Sequence, residues 1–126
     1  MYKKFLFAVF GLALLTVLFA SCKITDTSVS TGPTIKMGSS TFASSTVIVP
    51  KGDTLTLFDS APAPHTVVNG RWNGTQQDPQ KEAGAPTVNV SFGGNDSKTI
   101  GPFTTAGTYD IYCTIHQGMN LTITVK

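Results

Sequence analysis

Histidine and cysteine each occur only twice in these 126 residues, tryptophan occurs once, and charged side chains make up 13% of the chain. Those scarcities exclude several chemistries. There is no Cys-x-x-Cys pair for a zinc ribbon, no Gly-rich phosphate loop for a nucleotide, and no Gly-x-Ser-x-Gly for a serine nucleophile. Basic residues exceed acidic ones by only two, 9 against 7, and Lys3 and Lys4 lie at the extreme N-terminus; nine minus two leaves seven of each sign. A domain balanced in this way has no basic field for gripping a phosphate backbone, so nucleic acid is a poor partner. No apolar run reaches the ~20 residues of a membrane-spanning helix. No stretch keeps a helical period for long, and the length allows one small domain.

What is present begins like an export signal. Lys3 and Lys4 precede Phe5 to Ala20, an apolar run of roughly 16 residues broken only by Gly11 and Thr16. The run ends in Leu18-Phe-Ala-Ser-Cys22, which resembles the bacterial lipoprotein box. That resemblance implies a signal peptide at 1–21, lipid attachment at Cys22, a flexible Ser/Thr-rich tether at 22–33 and a folded domain at 34–126. Extended, the ~11 residues after Cys22 reach about 35–40 Å. An ordinary cleaved signal and a single membrane anchor are the other two readings of the segment. All three place the domain outside the cytoplasm, and the first makes it a membrane-anchored lipoprotein of the periplasm or cell surface. With Cys22 spent on lipid, Cys113 is a lone thiol in an oxidising compartment, a liability unless it is buried or bound. Metal is one answer.

From Thr34 onward the chain reads as short strands with turns between them. Thr46 to Val49 stops at Pro50-Lys-Gly-Asp53, Thr54 to Phe58 alternates apolar and polar residues, and His65 to Val68 stops at Asn69-Gly70. Thr87 to Phe92, Lys98 to Phe103, Thr108 to Cys113 and Leu121 to Val125 complete the set. This pattern predicts an all-β protein, an antiparallel Greek-key β-sandwich with one modest core. Residues Asn69 to Pro86 show no strand character over about 18 residues, longer than most loops. They are expected to cross from one sheet to the other, with room for a short helix, packed down by Trp72.

The chemistry sits near the C-terminus, in Cys113-Thr-Ile-His116-Gln-Gly-Met119. Period two puts Tyr109, Ile111 and Cys113 on one face of a strand, so the sulfur points inward at the strand's end. His116 and Met119 follow in a loop short enough to bring three side chains to one point. A second imidazole can come only from His65. Taken singly, Cys113 reads as a buried structural thiol, His65 and His116 as loop histidines, and Met119 as core filler. Taken together, the only two histidines and the one cysteine beyond the signal form a set.

That set resembles the cupredoxins, the blue type 1 copper proteins, over roughly Val47 to Lys126. The Cys-x2-His-x2-Met spacing is most similar to the short ligand loop of amicyanin; plastocyanin and pseudoazurin have a longer gap before Met. The resemblance implies one copper ion held by His65, Cys113, His116 and Met119. Two imidazoles and a thiolate with a weak axial thioether serve Cu(II) and Cu(I) alike. It further implies that His65 is the buried ligand and His116 the exposed one, with Pro62, Ala63, Pro64, Ile115 and Gly118 forming an apolar docking patch around it. One position departs from the family pattern: Thr66 stands where many cupredoxins carry an Asn that ties the ligand loops. Thr66 and Thr114 are the residues that would replace this tie.

The function implied is electron transfer, with the copper cycling between Cu(II) and Cu(I). The partners would be redox proteins at the same membrane, such as a cytochrome or a copper enzyme. The alternative is copper delivery or buffering, for which the chain offers only Met37 as a further soft ligand beyond the signal. Enzymatic reduction of oxygen or nitrite needs more histidines than the chain contains, so the expectation is a protein that is not an enzyme.

Overall fold

A computed structural model describes residues 32–126. The segments expected to be an export signal, a lipid-attachment site at Cys22 and, up to residue 31, a tether lie outside the described residues. Gly32 and Pro33 already belong to the fold, with the Pro33 carbonyl accepting the Thr56 N–H at 3.0 Å.

The described residues contain ten strands and no helix. One sheet has three strands in the order β1 (Thr34–Met37), β3 (Leu55–Asp59), β8 (Asp96–Ile100). The other has five, in the order β2 (Thr46–Val49), β10 (Asn120–Val125), β9 (Gly107–Cys113), β4 (His65–Asn69), β7 (Asn89–Phe92). The β-sandwich is therefore as expected, but its sheets are mixed rather than purely antiparallel. β1 runs parallel to β3, with Thr34 opposite Thr56, and β2 runs parallel to β10, with Thr46 opposite Thr122. Local alternation cannot reveal this, because period two fixes which face a side chain takes and not the direction of the neighbouring strand.

That alternation builds the core. β3, β4 and β10 bury every second residue. Met37, Val49, Leu55, Leu57, Val67, Ile111, Leu121 and Ile123 are almost wholly enclosed in one cluster contributed by both sheets. Enclosing each such aliphatic side chain stabilises the fold by about 1.5–3 kcal/mol. β9 breaks the alternation, since Ile111, Tyr112 and Cys113 are all buried in succession.

The cover over Tyr112 comes from the segment expected to lack strands. Instead of a bare crossing or a short helix, Arg71–Asn73 (β5) and Gln76–Asp78 (β6) form an antiparallel hairpin. Polar composition hid it, because both strands face solvent except at Trp72 and Asp78. Gly70 makes the entry possible. Its φ is +112°, and a Cβ there would sit 2.1 Å from the Asp78 carbonyl oxygen, so only glycine lets the hairpin fold back. Trp72 meets Tyr112 edge-on, with ring centroids 6.0 Å apart.

Candidate metal centre

The site forms where β4 begins and β9 ends. Val67 pairs with Cys113 in the antiparallel β4–β9 ladder. His65 lies two residues before Val67 and so shares its face, the same side toward which Cys113 points. The ladder continues one step beyond the strands, with Thr114 N donating to the Thr66 carbonyl at 2.9 Å. His65 and Cys113 are thus fixed by sheet register, and both are 0% exposed.

The loop after Cys113 folds back on itself. Cys113 N donates to the Met119 carbonyl at 3.0 Å, Met119 N to the His116 carbonyl at 3.1 Å, and Asn120 N to the Gly118 carbonyl at 3.0 Å. Gly118, at φ +78°, takes the left-handed conformation that lets the turn close. His116 is brought back over the sulfur, its Nδ1 3.5 Å from Cys113 Sγ, and its ring centroid lies 4.8 Å from that of His65. Met119 is buried in the same cluster as Cys113. His65, Cys113 and His116 each offer a ligand atom, and these atoms lie within 4.8 Å of one another.

A metal fits this arrangement on a specific observation. His65 Nε2 lies 2.9 Å from the Gly38 carbonyl and donates to it, which leaves Nδ1 with its lone pair free. That Nδ1 is buried and has no hydrogen-bond partner. A buried imidazole nitrogen without a partner is costly unless something else occupies its lone pair. His116 is suited to the same task. Burial, and after it the neighbouring His65, hold it below the ordinary histidine value, which favours the neutral ring that ligation requires.

The surroundings add features the sequence did not announce. Asp59 is 0% exposed, its Oδ1 accepts the Ala61 N–H at 3.2 Å and lies 3.7 Å from His65 Nε2, and its Oδ2 has no partner. A signal did exist for Asp59, since period two places it on the face of Leu55 and Leu57. Nothing in the sequence marked Gly38, which acts through its carbonyl. Thr66 and Thr114 do join, but through the Thr66 carbonyl, which also lies 3.5 Å from Thr114 Oγ1. The Thr66 hydroxyl turns instead toward Ser91 Oγ at 3.3 Å. Of the five positions read as a docking patch, Pro62, Pro64, Ile115 and Gly118 are exposed and Ala63 is half-buried. His116 itself is half-buried.

A β-sandwich that gathers His, Cys, His and Met at one end of its strands defines a cupredoxin. A family model described as copper binding proteins of the plastocyanin/azurin family matches residues 29–126, and the chain belongs to that family. It takes one copper ion, for which His65, Cys113, His116 and Met119 are the residues in position. Solved structures agree on the fold. Amicyanin from Paracoccus versutus (Thiobacillus versutus) is 19% identical with a TM-score of 0.57, covering 77% of this chain and 83% of that one. The reduced Cu(I) form of an amicyanin mutant at pH 4 is 20% identical with a TM-score of 0.57, covering 76% and 83%. A purple cupredoxin from Nitrosopumilus maritimus is 18% identical with a TM-score of 0.58, covering 75% and 99%. Among curated proteins, none matches the chain by sequence.

Proposed function

We propose that this protein is an electron carrier of the cell envelope, passing single electrons between redox proteins such as a cytochrome and a copper enzyme. The reading rests above all on the unpartnered, buried His65 Nδ1 facing the Cys113 and His116 pair. Copper held there supplies a one-electron couple between Cu(II) and Cu(I). The chain's own part is to hold the ligands still. His65 is fixed at ring level by Gly38 and at backbone level by β4, Cys113 by the ladder to Val67, and Met119 by its two loop hydrogen bonds. His116, only half-buried, is the ligand through which an electron leaves, and Pro62, Ala63, Pro64, Ile115 and Gly118 form the apolar contact surface around it. Brief encounters suit such a patch. The substrate is the electron itself, and the protein is not an enzyme.

Delivery of copper is the less favoured reading. Met37, the soft side chain that a transfer route would need, is fully enclosed in the core. Cys22 carries the lipid that tethers the domain to the membrane, outside the cytoplasm, with the segment up to residue 31 as its leash and 32–126 as the working domain, since Pro33 is already bonded to Thr56.

The test is a visible spectrum of the chain carrying Cys22→Ser, titrated with Cu(II). An intense blue thiolate-to-copper band that saturates at one copper per chain and bleaches with ascorbate supports the carrier. A pale spectrum refutes it. Rapid loss of copper to a chelator would favour delivery. Equal partition of the unsubstituted and Cys22→Ser chains between membrane and soluble fractions would sink the lipid anchor.

A further inference from the structure

The hairpin β5–β6 touches the ligand loop at both of its ends. Trp72 donates from its indole Nε1 to the Cys113 carbonyl at 2.8 Å. Its backbone is clamped by Asn120, whose Oδ1 accepts the Trp72 N–H at 2.7 Å and whose Nδ2 donates to the Trp72 carbonyl at 3.1 Å. Cys113 opens the loop and Asn120 follows Met119 directly, so one residue spans the loop from its first ligand to just beyond its last. The partner strand adds a contact, Gln77 Oε1 accepting the Tyr112 hydroxyl at 3.1 Å, with the Gln77 Nε2 reaching the Thr114 carbonyl at 3.4 Å.

We infer that Trp72 is a positioning residue for the copper ligands, and that the hairpin braces the loop from outside the sandwich where the Thr66 side chain does not tie it from within. Three observations converge on this. The Thr66 hydroxyl is directed at Ser91, leaving main-chain contacts and the Thr114 hydroxyl as the link between the ligand-bearing segments. The hairpin's bonds fall on the ligand-bearing segment, and neither of its strands belongs to the two main sheets. Its geometry also demands glycine at position 70, so the approach is constrained at its root. The indole has a second effect. The positive end of its N–H dipole lies against the carbonyl of the thiol-bearing residue, which favours the form of the site that carries the extra electron.

The inference rests on the copper-carrier reading for its second effect but not for its first, and the test keeps the two apart. Trp72→Phe keeps a smaller aromatic ring facing Tyr112 and removes the indole N–H. Amide hydrogen exchange is measured on the copper-free protein by NMR, and the Cu(I)-to-Cu(II) ratio at a fixed poise is measured on the loaded protein. The expected result is about fivefold faster exchange at the Cys113 and Met119 amides, the ratio one net hydrogen bond supports, with the β3–β8 amides unchanged. In the loaded protein the Cu(I) fraction falls. Asn120→Ala, which opens the clamp from the other side, gives the same local pattern and serves if Trp72→Phe does not fold. Exchange equal to the parent, or faster at every amide alike, overturns the brace. An unchanged Cu(I) fraction overturns the electronic effect. A parent chain that shows no blue band refutes the carrier reading instead, and the copper-free exchange still decides on the brace.

Discussion

Asn69→Ala separates the stability of the sandwich from the chemistry of the site. Asn69 closes β4 at the end away from His65 and is buried. Its Oδ1 accepts the Val88 N–H at 2.7 Å, and its Nδ2 donates to the Pro86 carbonyl at 3.0 Å. These two bonds seat the segment that leads into β7. Alanine removes both. Val88 is 3% exposed, so its N–H cannot turn to water, and leaving it unpaired costs about 1–3 kcal/mol. The Pro86 carbonyl is half-buried and can be rehydrated, losing about 0.5–1.5 kcal/mol. The sum is roughly 2–4 kcal/mol. Urea denaturation of the copper-free protein reads it directly, since bound metal would add its own stabilisation. With a slope of about 2 kcal/mol per molar, the midpoint falls by about 1–2 M and the slope is unchanged. The loaded variant keeps its blue band, because the ladder from Val67 to Cys113 is untouched. A midpoint shift below ~0.3 M would refute the bookkeeping. Loss of the band with stability intact would refute the separation.

Cys113→Ser abolishes the thiolate-to-copper absorption while far-UV circular dichroism stays that of the parent; a blue Cys113→Ser protein would remove this residue from the site. Leu121→Ala, at a fully enclosed position on an interior strand of the five-stranded sheet, costs about 2–5 kcal/mol by thermal or urea unfolding, and a loss under 1 kcal/mol would contradict a close-packed core there. Gly70→Ala loses stability through both its positive φ and the approach to the Asp78 carbonyl, by roughly 1–3 kcal/mol from the backbone alone, and an unchanged urea midpoint would count against the tight entry to the hairpin. Burial and His65 hold His116 below its ordinary value of 6.5, so in acid the unfolded copper-free chain takes up this proton before the folded one. Stability from His116 is complete above about pH 6.5 and declines as pH falls through the folded value. Urea midpoints taken across that range show the decline, and His116→Gln removes that part of it; identical profiles would refute the shift.

Much of this was legible because two simple periodicities did the work. Alternation in Thr54 to Phe58 and in Thr87 to Phe92 named buried faces, and the compact spacing of Cys113, His116 and Met119 named the loop. His65 followed because no other histidine remained. What stayed hidden depended on pairing between distant residues. The parallel alignment of β1 with β3 and of β2 with β10 leaves no mark on either strand alone. The β5–β6 hairpin carries too little apolar character to show a face, so Trp72 read as a packing residue rather than as a donor to Cys113. Asp59 lay in plain view on a core face, yet its neighbour His65 becomes apparent only when β3 and the start of β4 are seen together. Thr66 and Thr114 were expected to pair in place of the usual tie, whereas the Thr66 hydroxyl faces Ser91 and only its carbonyl meets Thr114; sequence does not say whether a side chain or its carbonyl makes a bond.

The parallel course of β1 decides how the molecule can be held. β1 enters at Thr34, opposite Thr56, and rises to Met37, opposite Asp59, just before the Gly38 carbonyl that meets His65. β10 descends from Asn120, beside the ligand loop, to Val125, and Lys126 is still bonded to Val49 and Lys51. The described chain therefore begins and ends at the same pole, about 13–20 Å of strand away from the ligands. An electrode or a fused domain attached directly at Thr34 or at Lys126 meets the end of the sandwich opposite the ligands. The face bearing His116 is left looking outward, so immobilisation and electron exchange do not compete for the same surface.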